Sequence, residues 1–239
     1  HGLDLPGLAE AAGADAGQQH QVLPPGHRCD AVDVEQPVVE PGVPNLELSK
    51  AAAPFGLFYA PDPSSQQACT IGGNVAENAG GPHCLALGVT QNHVLGIEIV
   101  TADGDITWLG GRVSDSFGYD LRGIFIGSEG TLGVATKVVV RLVPLPASVI
   151  TLLAVFDTVQ QASETVSTII SAGMIPAAME MMDRLTLQAA EAGLQCGYPP
   201  DAGAVLLVEL DGLPEVIDSQ AVRVRAECLE RGAVEVRLA

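Results

Sequence analysis

Residues Pro61–Gly81 read PDPSSQQACTIGGNVAENAGG and carry two glycine pairs, Gly72-Gly73 and Gly80-Gly81. Glycine permits positive φ and lets a ligand approach the main chain without meeting a Cβ. Successive amides in Gly-rich turns also bind phosphate oxygens. The bland alternative is a pair of tight turns with no ligand. Two facts bear on the choice. No Lys or Arg occurs between Ala51 and Gly111, so an anion held there depends on backbone amides and small polar side chains; Ser64, Ser65, Thr70, Asn74 and Asn78 supply these. A second cluster, Gly127-Ser128-Glu129-Gly130-Thr131-Leu132-Gly133, then leads straight into a β-rich run. Its spacing is neither GxGxxG nor GxxxxGK, so a Rossmann or P-loop site is unsupported. What remains is a nucleotide cofactor held across two loops of an α+β domain.

Around these loops the pattern is β-rich. Val38–Val43 reads as a short strand ending in a turn, and Phe55–Tyr59 as another extended piece. Val94–Thr101 and Asp105–Leu109 flank an Asp-Gly turn, a strong hairpin signal. Gly133–Leu145 is a long β run that stops at Pro146, with Lys137 and Arg141 on one face. Beyond Pro146 strands and helices alternate. Val149–Phe156 has strand length. Asp157 is placed to cap a helix to about Ala172, with Gln160 in a capping box and Gly173 as the stop. Its predicted apolar stripe is Val159, Ala162, Val166 and Ile169 or Ile170. Ala204–Leu210 is a buried-type strand, Pro214 opens a second helix ending at Gly232, and Ala233–Leu238 is a last strand. Residues 1–36 are rich in Ala, Gly, Gln and Pro. They show only a weak helix over Asp4–Ala16 and loop chemistry at Leu23–His27. The chain therefore divides into an atypical segment 1–36, a domain at 37–146 and a second at 147–239.

Composition excludes several classes. The 239 residues carry 29 acidic and 11 basic side chains, a net charge of −18, which disfavours nucleic acid and anionic membrane surfaces. Hydrophobic residues at 47% rule out a disordered chain, and no apolar run approaches the ~20 residues of a membrane helix. No signal peptide is visible, and five scattered cysteines without a CxxC pair fit reduced thiols in a cytoplasm.

The strings VVEPGVPNLELSK from Val38, the loop of Pro61–Gly81, GPHCLALGVTQNHVLG from Gly81 and GYDLRGIFIGSEGTLGVATKVVVRLVPLP from Gly118 closely resemble the FAD-binding domain of FAD-linked oxidases of the vanillyl-alcohol oxidase type. IPAAMEMMDR from Ile175 and AVLLVELDG from Ala204 continue the likeness into the cap domain. Within that superfamily the chain is most similar to the glycolate oxidase D subunit and its D-2-hydroxyacid dehydrogenase relatives. The resemblance implies an α+β fold: a PCMH-type FAD-binding domain lacking its first lobe, followed by a partial ferredoxin-like cap.

The implied chemistry is oxidation of a small 2-hydroxy acid, glycolate or D-lactate, with hydride passing to the flavin while a base takes the hydroxyl proton. By the same resemblance Pro61, Asp62, Ser64 and Ser65 line the flavin side, and Thr70, Gly72, Gly73 and Asn74 face the diphosphate. Asn78, Gly80 and Gly81 approach the isoalloxazine, with Glu129, Gly130, Gly133 and Val134 near the adenosine half. Partner glycolate oxidase subunits, an iron–sulfur subunit among them, are implied, with any membrane contact made through them. Two departures stand out. The family's GxGTGLSGG loop has no counterpart in residues 1–36, which are either a substituted segment or the product of a shifted reading frame. The family's His-rich stretch, which holds a metal or base, is also missing, since the last histidine is His93. The chain thus reads as a fragment with no metal site of its own and no assignable catalytic residue. The rival reading is a noncatalytic FAD-binding subunit. A reductase of cell-wall precursor synthesis shares the fold, but the Pro61–Gly81 string does not resemble that branch.

Other residues have simple expectations. His83 and His93 cap or brace turns rather than tether a flavin, and Cys69 and Cys84 are small buried thiols. Glu180 lies near a strand end and Asp183 caps a helix. Met174, Met179, Met181 and Met182 fill the core.

Overall fold

A computed structural model describes residues 29–30, 36–111, 118–199 and 201–238. The predicted helix over 4–16 and loop over 23–27 lie outside them. In chain order the first half contains β1 (Cys29–Asp30), β2 (Val38–Val39), α1 (Asn45–Ala52), β3 (Leu57–Phe58), α2 (Ile71–Glu77), α3 (Cys84–Leu87) and α4 (Thr90–His93). Then come β4 (Val94–Val100), β5 (Ile106–Gly110), α5 (Leu121–Phe125), β6 (Val134–Val140) and β7 (Val143–Pro144). The second half contains β8 (Ser148–Phe156), α6 (Val159–Ser171), β9 (Ala178–Asp183), α7 (Arg184–Leu194), β10 (Ala204–Gly212), α8 (Pro214–Glu230) and β11 (Ala233–Leu238).

A five-stranded sheet of order β1-β2-β6-β4-β5 organises the first half, with antiparallel pairing throughout. The predicted hairpin is present as β4 and β5, closed by a turn in which Gly104 takes φ 87° and donates its N–H to Thr101 O at 3.0 Å. The β run after Gly133 breaks: β6 ends at Val140, and Arg141 donates its amide to His93 O instead of continuing the ladder. Lys137 therefore stays on the sheet beside Glu98, whereas Arg141 leaves it. Cys29–Asp30 pairs with β2, a strand too short to show any period in the sequence. The helices pack their apolar sides on this sheet, burying Val39, Leu48, Ile71, Val75, Ile97, Phe125 and Val138.

The second half forms a four-stranded antiparallel sheet of order β11-β8-β10-β9. Strand, helix, strand, strand, helix, strand in that spatial order is the ferredoxin-like arrangement, here with α7 added between β9 and β10. Side chains alternate across β10. Leu206, Val208 and Leu210 meet α6 and α8 through Ile169, Ile217 and Val224, while Val205 turns the other way toward Leu187 of α7.

Two local expectations shift. The cap of α6 is Thr158 rather than Asp157. Its side chain accepts from Gln161 N, and Gln161 rather than Gln160 completes the capping box. Of the predicted stripe Ala162 and Ile169 are buried and Val166 packs at the core edge; Thr165 joins them, while Val159 and Ile170 are exposed. Met174 is buried and Met179 and Met182 pack at core edges, but Met181 points outward.

Candidate functional site

The loop after β3 is held from below by α1. Asn45 Nδ2 donates to Pro61 O at 2.9 Å, and the amides of Asn45 and Leu46 donate to Cys69 O and Gln66 O. Ile71 N and Gly72 N then donate to Val43 O and Pro41 O, fastening the next segment to the turn after β2. The two glycine pairs are not a matched pair of turns. Thr70 caps α2 by accepting from Gly73 N, so Gly72 and Gly73 lie in a helical first turn. Two adjacent glycines are poor helix formers, and here that cost is offset by closeness. A Cβ on Gly72 would stand 2.6 Å from Pro41 Cβ. The cap at the other end is Asn78, with φ 51°, whose Oδ1 accepts Gln91 N.

The second glycine cluster comes to the same place. Gly127 N donates to Val75 O and Glu129 N to Ala76 O, so the 127–130 turn sits on the C-terminal end of α2. Thus Pro61–Ser65, Thr70–Asn74, Asn78–Gly81 and Ser128–Gly130 form one connected face. Gly133 lies beside Val100 and Phe125, and Val134 pairs with Val100 on the sheet. Ser64, Ser65, Gly73, Glu129 and Gly130 are exposed on it.

Which glycines face open space divides the set. A Cβ on Gly80 would collide with Cys84 Sγ, and one on Gly81 with the Asp62 carbonyl; these two, with Gly72, are glycine because the chain packs on itself. Beside Gly73 the nearest atom is Thr70 Oγ1 at 3.5 Å, and beside Gly130 nothing lies within 4 Å. Buried polar atoms without a partner among the described residues include Asp62 Oδ1, Asn74 Nδ2 and Ser128 Oγ, all on these segments. Such atoms are costly unless something hydrogen-bonds them. Open backbone at Gly73 and Gly130 and unpaired polar atoms leave hydrogen-bonding groups free for a polar ligand; with no Lys or Arg over 51–111, an anionic one would be held by backbone amides and small polar side chains.

Two family models divide the chain between them: an FAD binding domain matches residues 29–110, and the C-terminal domain of FAD linked oxidases matches 145–239. The chain belongs to the FAD-linked oxidases. Among curated relatives it is 53% identical over 201 residues to the glycolate oxidase subunit GlcD of Escherichia coli K12, covering 84% of this chain and 40% of that protein. It is 46% identical over 202 residues to GlcD of Bacillus subtilis, covering 84% and 43%. A D-lactate dehydrogenase of Anaerostipes hadrus is 35% identical over 209 residues, covering 84% and 44%. The chain spans about 40% of the length of these relatives. A solved alkyldihydroxyacetonephosphate synthase shares the fold with a TM-score of 0.73 at 22% identity, over 87% of this chain and 41% of that one.

Within this chain the two histidines beside the glycine pairs behave oppositely. His93 is buried; its Nε2–H donates to Leu87 O at 2.8 Å, and its Nδ1 has no described partner. Burial pushes its pKa down, because the charged ring would lose its hydration, and the nearby Arg141 charge adds to this. His83 lies between two carboxylates. Nδ1 is 2.6 Å from Asp62 Oδ2 and Nε2 is 2.8 Å from Glu209 Oε1, and the Asp62 hydrogen bond above all pushes its pKa up to about 9. The two carboxylates meet opposite nitrogens of one ring, so they do not converge on a metal-binding point. Sequence reasoning missed Glu209. Its only signal was a carboxylate inside the apolar run AVLLVEL. Asp183 caps α7 as expected, accepting from Thr186 N at 2.8 Å. Cys69 and Cys84 are half-buried free thiols. No helix among the described residues is long and apolar enough to cross a membrane.

Proposed function

We propose that this chain is part of an FAD-dependent dehydrogenase that oxidises a small 2-hydroxy acid of the glycolate or D-lactate type to the 2-oxo acid. The observation that carries this reading is the 53% identity to a glycolate oxidase subunit, which runs through both domains. The division at residue 146 is supported by β7 ending at Pro144 and β8 starting at Ser148. Bound FAD supplies the two-electron acceptor. The chain's own part is to hold and orient it.

Asn74 Nδ2 and Ser128 Oγ are donors needing partners, and the open side of Gly73 admits close approach beside them. Thr70, Gly72, Gly73 and Asn74 would serve the diphosphate, and Pro61, Asp62, Ser64, Ser65, Asn78, Gly80 and Gly81 the flavin. Glu129, Gly130, Gly133 and Val134 would serve the adenosine half. Gly72, Gly80 and Gly81 act indirectly, by letting the loops close. A chain with net charge −18 would be repelled by an anionic bilayer. A cytoplasmic enzyme held at the inner membrane through partner subunits, including an iron–sulfur subunit, accords with that charge and with the word subunit in the relatives' names.

The test uses the full-length, FAD-loaded protein that contains this sequence, with dye reduction followed over a panel of 2-hydroxy acids. Turnover of glycolate or D-lactate is the expected result. FAD retained with no turnover of any of them would instead make it a noncatalytic FAD-binding subunit. A Gly73→Val variant should lose FAD, read from the flavin absorbance that co-purifies.

A further inference from the structure

We propose that His83 is a positioning residue that ties the C-terminal domain to the loops of the FAD-binding domain, and does so only while both ring nitrogens carry protons. The inference rests on the family assignment and not on the choice of substrate. Three segments distant in sequence meet at this ring: the Pro61–Pro63 loop through Asp62, the end of the Asn78–His83 loop, and β10 of the other domain through Glu209.

A neutral imidazole has one N–H and one lone pair. It can donate to one carboxylate only, and would present its lone pair to the other at 2.8 Å or less. Both contacts are attractive only in the imidazolium. The surroundings favour that form. Asp62 and Glu209 are the carboxylates that act on the ring. Of the other charged groups on the adjoining strands, Asp211 is on β10 and Glu180 on β9, while Asp183 is at the far end of β9, paired with Ala204 and capping α7; no Lys or Arg occurs on β9, β10 or residues 51–111. The arginine that follows β9, Arg184, donates to Asp201 O.

The pKa of His83 rises from 6.5 to about 9 on folding. The tie is therefore fully present below 6.5 and is lost as pH rises through about 9. The Asp62 arm is the shorter and lies within one domain. On deprotonation the remaining proton stays on Nδ1, so Nε2 faces Glu209 with a lone pair and the interdomain arm opens. Its Asp62 contact also braces the carbonyl on which Gly81 rests.

The experiment is hydrogen exchange of the β10 and 78–83 amides in the full-length FAD-loaded protein across this pH range, normalised to the intrinsic rate at each pH. In the wild type, β10 protection should fall about tenfold as the last proton leaves, the scale of one charge-assisted hydrogen bond. His83→Arg, charged throughout, should keep its protection at alkaline pH. His83→Gln and Glu209→Gln should at neutral pH already show the alkaline wild-type level. Flavin absorbance, measured in parallel, separates a released tie from a failed FAD-binding domain. Wild-type protection that does not change with pH would overturn the proposal, as would Glu209→Gln protected like wild type at neutral pH. If His83→Gln does not fold, Glu209→Gln decides alone by the same two outcomes.

Discussion

The C-terminal domain and the glycine face of the FAD-binding domain both pack tightly, by opposite means. On β10, Leu206, Val208 and Leu210 fill the space beneath α6 and α8 with large side chains. On the glycine face the close contacts are made by side chains that are missing: Gly72 lies against Pro41, Gly80 against Cys84 and Gly81 against the Asp62 carbonyl. The first region is vulnerable to losing atoms and the second to gaining them. A hydrophobicity scale sees only the first kind of core.

The largest effect that this contrast predicts is at Leu206, fully buried on β10 beneath α6 and α8. Leu206→Ala should cost about 2–5 kcal/mol, the lost transfer energy plus the cavity left behind. Urea unfolding of the protein would show it as a lowered midpoint. A change below about 1 kcal/mol, a small value for a buried leucine, would mean that the sheet collapses onto the gap and that the two regions do not differ as argued.

The mirror experiment adds one methyl group. Gly81→Ala drives a Cβ into backbone, which cannot rotate away, and should cost about 1–3 kcal/mol or more. Gly73→Ala has open space and a helical φ, so it should stabilise the FAD-free protein by about 0.5–1 kcal/mol. Its FAD affinity should fall all the same, because the methyl enters the side proposed for the cofactor. Equal stability changes at the two positions would break the distinction between glycines required by packing and glycines required by a ligand.

The sequence made these regions legible to different degrees, for physical reasons. β8, β10, α8 and β11 were readable because alternating or continuous apolar runs are bounded by Gly, Pro and capping residues. The hairpin of β4 and β5 announced itself by Asp103-Gly104. In contrast α2 was hidden: Ile71-Gly72-Gly73-Asn74 has the letters of a turn, and its helix exists because Thr70 caps it and the turn at Pro41–Val43 takes two of its amides. Long-range ties are hidden for another reason. Nothing local distinguishes Glu209 from a surface carboxylate until topology brings it to His83, 126 residues away.

Helix caps supply a smaller comparison. Thr158 caps the 13-residue α6 and Thr70 the 7-residue α2, each accepting the N–H of the third helical residue. Thr158→Ala should cost about 1 kcal/mol. Thr70→Ala should cost a similar amount and also weaken FAD retention, since it releases Gly73 N beside the open side of the loop. Paired urea titrations and flavin absorbance would check this. Loss of FAD in Thr158→Ala as well would show that retention follows general stability rather than the α2 cap.

The smallest effect should come from a contact that looks strong on paper. Lys137 Nζ lies 3.1 Å from Glu98 Oε2 across β4 and β6, with the lysine side chain 51% and the glutamate 15% exposed. The lysine half is in solvent, so it gains little from the pair and gives up rotamer freedom to make it. Glu98 has a second attachment, since its Oε1 accepts the Thr136 hydroxyl at 2.8 Å. Lys137→Ala should therefore cost less than about 1 kcal/mol and lose even that in high salt. Glu98→Ala should cost more, because it removes the lysine's partner and the shorter of the two acceptors of the Thr136 hydroxyl, leaving only the residue-98 carbonyl at 3.1 Å. A double-mutant cycle isolates the pair term. A coupling well above 1 kcal/mol that survives high salt would show that the β4–β6 surface screens charge poorly. Exposed pairs of this sheet would then have to be weighed like the half-buried tie at His83.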